Sequence, residues 1–280
     1  MAGAKGGGSK PDLATFGGFL VGIGAILGGL LMEGGKFQDV RQVSAAVIVF
    51  GGTFGAVMVS NPPKNLMAAL RAVKATVFEK ALNPAGAIEE IIRYATKARK
   101  SGIVSLEQDA EAASDPFLRK ALNLAVDGTD LQQIRKIMEL ELSVMEARAE
   151  AEAKVFEQAG GYAPTVGIIG AVMGLIQVMK NLANIDEVGR GIAVAFVATV
   201  YGVGSANLVF LPIGSKIKAR AHQAVEIREL MLEGVIAIVE GLNPKLIRTK
   251  LEAYAGGAPA PAAAAAGKAK GATQTAPQAG

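Results

Sequence analysis

The chain has 280 residues, with 29 Lys+Arg against 25 Asp+Glu, 35 Gly, one His, and neither Cys nor Trp. Charged residues make up 19% and apolar ones 51%, and the mean hydropathy is +0.35, whereas soluble domains carry about a quarter charged residues. These figures argue against a single water-soluble globule, a disulfide scaffold, a thiolate metal centre, a thiol nucleophile and, with one imidazole, a His-based triad.

Residues 1–12 read as a flexible, glycine-rich start. Residues 13–63 hold two charge-free windows, Leu13 to Met32 (20 residues) and Gln42 to Pro63 (22 residues). Each matches the roughly 20 residues with which a helix crosses about 30 Å of hydrocarbon. Lys5 and Lys10 ahead of the first window resemble a signal-peptide n-region, but the stretch is too long for an h-region and ends without a small-x-small cleavage site, so the first helix is expected to stay. Pairs such as Gly18/Gly22, Gly24/Gly28, Gly51/Gly55 and, further on, Gly170/Gly174 suit close helix approach. Gly29 to Lys36 lacks the Gly-Lys-Ser/Thr ending of a phosphate loop.

Residues 64–157 differ sharply: 14 basic and 15 acidic side chains in 94 residues, a mixed-sign helical segment and not a nucleic-acid patch. Asn83-Pro84 predicts a helix start and Ser101-Gly102 its end, with Ile88, Ile91, Ile92 and Ala95 at helical spacing. Ser105 to Gln108 fits a capping box opening a short helix, and Asp115-Pro116 opens another that runs to Asp127-Gly128. From Asp130 neither Pro nor Gly occurs before Gly160, which predicts one long helix entering the third window.

Residues 158–215 contain the third and fourth windows, Gln158 to Met179 (22 residues) and Gly191 to Ser215 (25 residues). Their polar side chains include Thr165, Gln177, Thr199, Tyr201, Ser205 and Asn207, with no carboxylate, amine or imidazole. Pro164 and Pro212 each free a carbonyl four residues earlier and are expected at similar depth, as hinges or a pore mouth. Residues 216–254 continue as helix to Gly241, before Asn243-Pro244, with His222 a solvated side chain. Residues 255–280 read as an Ala/Gly/Pro tail. Basic residues cluster on one side of the windows (Lys5, Lys10, Lys64, Arg71, Lys74, Arg148, Lys154, Lys216, Lys218, Arg220), so the positive-inside rule predicts both termini and residues 64–157 in the cytoplasm. The fold class is thus an all-α integral membrane protein: four transmembrane helices, a helical cytoplasmic domain between the second and third, and long cytoplasmic extensions of the third and fourth.

The segment KARKSGIVSLE at 97–107, the paired stretches APTVGIIGAVMG at 163–174 and AVAFVATVYG at 193–202, and the four-helix layout resemble the MotA family of flagellar motor stator subunits over about residues 13–250. More distantly the chain is similar to the ExbB and TolQ proton-channel proteins, which have three spans. The resemblance implies that Pro164 and Pro212 are the family's two functional prolines, and that Arg99 and Glu107, joined by Lys100, contact a rotor switch-complex protein. It implies a homo-oligomer, a pentamer around two copies of a MotB-type single-span partner whose aspartate carries the ion, in the bacterial inner membrane. Sodium-driven relatives carry threonine where this chain has Ala171 and Ala198, beside Thr199, so the transported ion is expected to be H+. Neither enzyme activity, cofactor nor metal is expected. The alternatives are an ExbB/TolQ-like energiser, a sodium-driven stator and a non-conducting scaffold.

Overall fold

The computed structural model describes residues 13–78 and 83–256. The expected flexible start and, from residue 257 onward, the expected tail lie outside the described residues. Helices are α1 (Leu13–Met32), α2 (Val43–Ser60), α3 (Pro63–Phe78), α4 (Pro84–Ser101), α5 (Glu107–Glu111), α6 (Pro116–Val126), α7 (Leu131–Lys180), α8 (Ile185–Val239) and α9 (Pro244–Tyr254). Two π-helical turns, Val47–Gly51 and Ala206–Phe210, interrupt α2 and α8, and a 3-10 turn, Ile103–Leu106, joins α4 to α5.

Polar caps mark five helix starts, of which the sequence announces those at Asn83, Asp115 and Asp130. Asn83, Asp115, Asp130, Asn184 and Asn243 accept from the backbone N–H two residues on, at 2.7–3.2 Å, and so satisfy one of the orphan donors that begin every helix. Asn243 therefore does more than end α8: it caps α9. The expected capping box at Ser105 is not formed. Gly102 takes φ +80, a 3-10 turn follows, and Ser105 Oγ donates to the Gly102 carbonyl instead of capping α5.

The described residues form two compact units, one from residues up to 82 and Asp130–Glu229, the other from Asn83–Thr129 and residues from Leu230 onward. In the first, α1, α2, α7 and α8 are each long and apolar enough to cross a membrane. Helix α7 runs unbroken for 50 residues, and α8, including its π turn, for 55. At about 1.5 Å per residue each is more than twice the length that hydrocarbon requires. Large apolar side chains on these helices, among them Leu20, Val59 and Phe196, stay exposed, the arrangement lipid rewards and water penalises. The second unit has an ordinary soluble core of Ile91, Tyr94, Leu106, Leu118, Leu122, Ile236, Ile247 and Leu251.

Candidate functional site

Helices α7 and α8 meet along a seam with almost no side chains. On α7 the buried positions are Gly160, Ala163, Gly167, Gly170 and Gly174, alternating three and four residues apart; on α8 they are Gly191, Ala195, Ala198, Gly202 and Ala206. This alternation keeps one narrow stripe facing the partner helix. The approach is close enough that a Cβ added at Gly202 would lie 2.6 Å from the Ala163 carbonyl oxygen, and one at Gly174 would lie 2.7 Å from that of Gly191. Glycine is required at these positions by space, since the helical backbone is ordinary there. The sequence reading found only the Gly170/Gly174 pair; the α8 half carries mostly alanine, which composition does not distinguish from any helical position.

Of the residues expected to line an ion path, Ala198 is fully buried in this seam, where a Cβ on Gly170 would meet its own Cβ at 2.8 Å. Ala171 is half-buried, seven residues after the half-buried Pro164 and hence on the same side of α7. Thr199 is exposed, and its hydroxyl donates to the Ala195 carbonyl at 3.2 Å. Pro212 is exposed, directly after the π turn, in which the Leu211 N–H reaches back to the Ala206 carbonyl.

The two prolines are not at one depth, as the sequence reading expects. Gly202 lies against Ala163, Leu211 against Gly160, and Gly214 against Ala153, Phe156 and Glu157. Pro212 is therefore level with the turn around Phe156 to Gly160, and Pro164 lies about one to two turns further toward the Lys180 end of α7. Opposite helix directions alone do not set the stagger between α7 and α8, which these contacts fix.

Three polar contacts the sequence reading did not anticipate hold α2 against this pair. Tyr201 donates to the Val40 carbonyl at 2.5 Å and stacks on Phe50 with ring centroids 5.8 Å apart. At the other end of α2, Asn61 donates to Gln158 at 2.6 Å, and the Ser60 and Tyr162 hydroxyls lie 2.9 Å apart. Just past the charge-free windows, Lys218 on α8 pairs with Glu157 on α7 at 2.8 Å, and this bond holds the lysine above its ordinary pKa. None of these partners could be matched by spacing, since each pair is separated by many residues along the chain.

In the second unit, Arg99 and Lys100 occupy the exposed last turn of α4, and exposed Glu107 is the first residue of α5. Cations at a helix C-terminus and an acid at an N-terminus both suit the helix dipole. None of the three forms an ion pair among the described residues, so all three charged heads face solvent. The corner between them turns at Gly102 and is closed by Lys97, which binds Asp109 at 2.5 Å. Behind it, Glu90 accepts from the Ser114 N–H at 3.1 Å, the Ser114 hydroxyl at 2.5 Å and the Tyr94 hydroxyl at 2.6 Å. Burial raises the Glu90 pKa, but these hydrogen bonds outweigh it and hold the carboxyl below its ordinary 4.5. Burial and the bond to Glu90 push Tyr94 up to about 12. Arg248 of α9 braces α4 with a forked pair of bonds to Glu89 at 2.6 and 2.8 Å.

No group of three or more His, Asp or Glu side chains among the described residues is placed to hold a metal. The spans supply walls and hydrogen-bonding edges without a carboxylate, amine or imidazole.

The sequence matches the MotA/TolQ/ExbB proton channel family over residues 109–230 and the Motility protein A N-terminal family over residues 16–100. It is 36% identical over 247 residues to the Motility protein A of Bacillus subtilis, covering 87% of this chain and 90% of that one. Among solved structures, the C. jejuni MotAB structure is similar with a TM-score of 0.83 at 31% identity, covering 87% of this chain and 95% of that one. The flagellar MotAB stator complex of Bacillus subtilis is similar with a TM-score of 0.79 at 36% identity, covering 86% and 95%.

Proposed function

This chain belongs to the MotA/TolQ/ExbB proton channel family, and on that premise we propose how it works as the ion-conducting stator subunit of a bacterial flagellar motor. It is a membrane-embedded, multi-pass protein that acts in a stator assembly with a MotB-type partner. The relatives being motility proteins, an ExbB/TolQ-like role is not favoured.

One observation carries the mechanism. A proton cannot cross hydrocarbon without a group whose charge changes on the way, and the four charge-free windows contain no carboxylate, amine or imidazole. The titrating group therefore comes from the partner: an aspartate on its single span. Apolar surroundings raise the pKa of such a carboxyl, so it binds a proton from one side, becomes neutral, and releases the proton to the other. Each charge carried through 100 mV supplies about 2.3 kcal/mol.

In this reading five copies surround a partner dimer in the inner membrane, with both termini and residues 64–157 in the cytoplasm. Pro164, Ala171, Ala198, Thr199 and Pro212 line or hinge the path. Neutralising the aspartate lets the ring shift past it, and Arg99, Lys100 and Glu107 push on an oppositely charged rotor surface. The ion is H+, because sodium needs several oxygen ligands and Ala171 and Ala198 offer methyl groups. No cofactor takes part.

The test is complementation of a stator-less bacterium by this chain with its partner. Swimming in sodium-free buffer is expected; its loss on sodium removal would overturn the proton assignment. Co-purification with the partner and imaging of the complex checks the stoichiometry, and a ring of other than five copies refutes that part.

A further inference from the structure

Four phenylalanines, Phe50, Phe54, Phe156 and Phe210, stand around one cleft of about 300 Å³ in the first unit, within the range of small-ligand sites. The rest of the wall is aliphatic except for Thr53. Phe54 is 63% exposed, so the cleft opens past that ring to the surroundings of α2. Both π turns reach it, that of α2 through Phe50 and that of α8 through Phe210, and such turns recur at functional sites. Thr53 is 2% exposed, and its hydroxyl has no hydrogen-bond partner among the described residues. Thr96, Thr199 and Thr249 donate to the carbonyl four residues earlier; for Thr53 that carbonyl belongs to Val49, inside the π turn. A buried hydroxyl left unbonded is costly, so an occupant that brings it a partner is favoured.

We propose that this cleft binds a small neutral aromatic molecule carrying a single N–H or O–H donor, such as an indole or a phenol, with its ring among the phenylalanines and its donor on the Thr53 hydroxyl. The wall disfavours other occupants. A water molecule needs about two to four polar partners and would find only this hydroxyl. An ion would lose its hydration with nothing to replace it. An acyl chain would fill the space but leave the hydroxyl unbonded, and it lacks the edge-to-face contacts that phenyl rings offer another aromatic ring. The inference goes beyond the stator reading and does not depend on it.

The chain has no tryptophan, so indole emission, excited beyond the tyrosine band, reports on the ligand alone. The full-length chain in lipid nanodiscs is titrated with indole and with 1-methylindole, which keeps the ring and lacks the N–H, against protein-free nanodiscs that measure partition into lipid. A saturable component is expected for both ligands. Thr53→Val, which keeps the shape and removes the hydroxyl, should weaken indole about fivefold, the worth of one hydrogen bond, and leave 1-methylindole unchanged. Ala69→Leu, which fills the aliphatic side of the cleft, should remove the saturable component for both; should that variant misfold, the Thr53→Val comparison decides. Indole bound equally by the parent and by Thr53→Val means that the hydroxyl is not the anchor, and emission that only follows the protein-free nanodiscs means that the cleft is closed or covered by protein; either result overturns the proposal. Because binding is read without motility or ion flow, a failed complementation with indole binding intact would count against the stator reading alone.

Discussion

Gly202 and Gly204 are two residues apart on α8, yet a methyl has opposite consequences at each. At Gly202 it would lie 2.6 Å from a backbone oxygen of α7, while at Gly204 it meets nothing within 4 Å. Gly202→Ala is expected to cost about 1–3 kcal/mol in detergent unfolding, as overpacking does, and Gly204→Ala to be neutral or stabilising by up to about 1 kcal/mol, the helix-propensity gain. Equal effects at both positions would disprove the seam. The same geometry separates the two threonine substitutions that ask about ion choice. Ala198 has no room, so Ala198→Thr would disturb packing along with chemistry, and Ala171→Thr on the half-buried side is the cleaner question. Thr53 on α2 is 2% exposed and its hydroxyl has no hydrogen-bond partner among the described residues. Replacing such a group by an isosteric apolar one removes an uncompensated desolvation cost, so Thr53→Val should leave stability unchanged or raise it by about 1 kcal/mol; a marked loss in the same unfolding assay would expose a partner for that hydroxyl.

Among the elements, those with a chemical start signal were legible in the sequence. Asn83, Asp115 and Asp130 announce α4, α6 and α7, and each cap forms. Ser105 carries the same pattern without forming one, because Gly102 in the left-handed region directs the chain into a 3-10 turn first. The two π turns left no mark at all, since a wider turn alters hydrogen-bond register without altering hydropathy. The prolines on α7 and α8 were legible as residues and misread as a level pair. Pro164→Ala and Pro212→Ala are expected to lower swimming while leaving co-purification with the partner intact, which separates a hinge from an assembly defect. At the α4–α5 corner, reversing Arg99 or Glu107 should depress swimming without lowering the thermal stability of the chain, since neither is paired. Glu90 behaves differently. Its pKa is depressed in the folded state, so its contribution is present above 4.5 and is lost as pH falls below 4.5 through the folded value. Acid unfolding of the second unit, followed by tyrosine or circular-dichroism signals, should therefore be steeper in the parent than in Glu90→Gln.

Across the whole molecule, charge is segregated: the four windows have none, and the remaining segments hold all 54 charged side chains. That division made the four membrane-capable helices readable from composition alone, whereas the candidate path was readable only through motif resemblance, because alanine, glycine and a lone threonine have no distinctive chemistry. The π turn at Ala206–Phe210 bears on the molecule in a further way. A π turn holds one residue more than the α-helical turn it replaces, and one residue corresponds to about 100° of rotation and 1.5 Å of rise. The angular setting of everything beyond it on α8, including Pro212, Lys216 and Lys218, is thereby indexed to a single inserted residue. Deleting Val209 should rewind that half of α8 like a screw turned back by a quarter revolution, carrying Lys218 away from Glu157 while leaving the chain's hydropathy almost untouched.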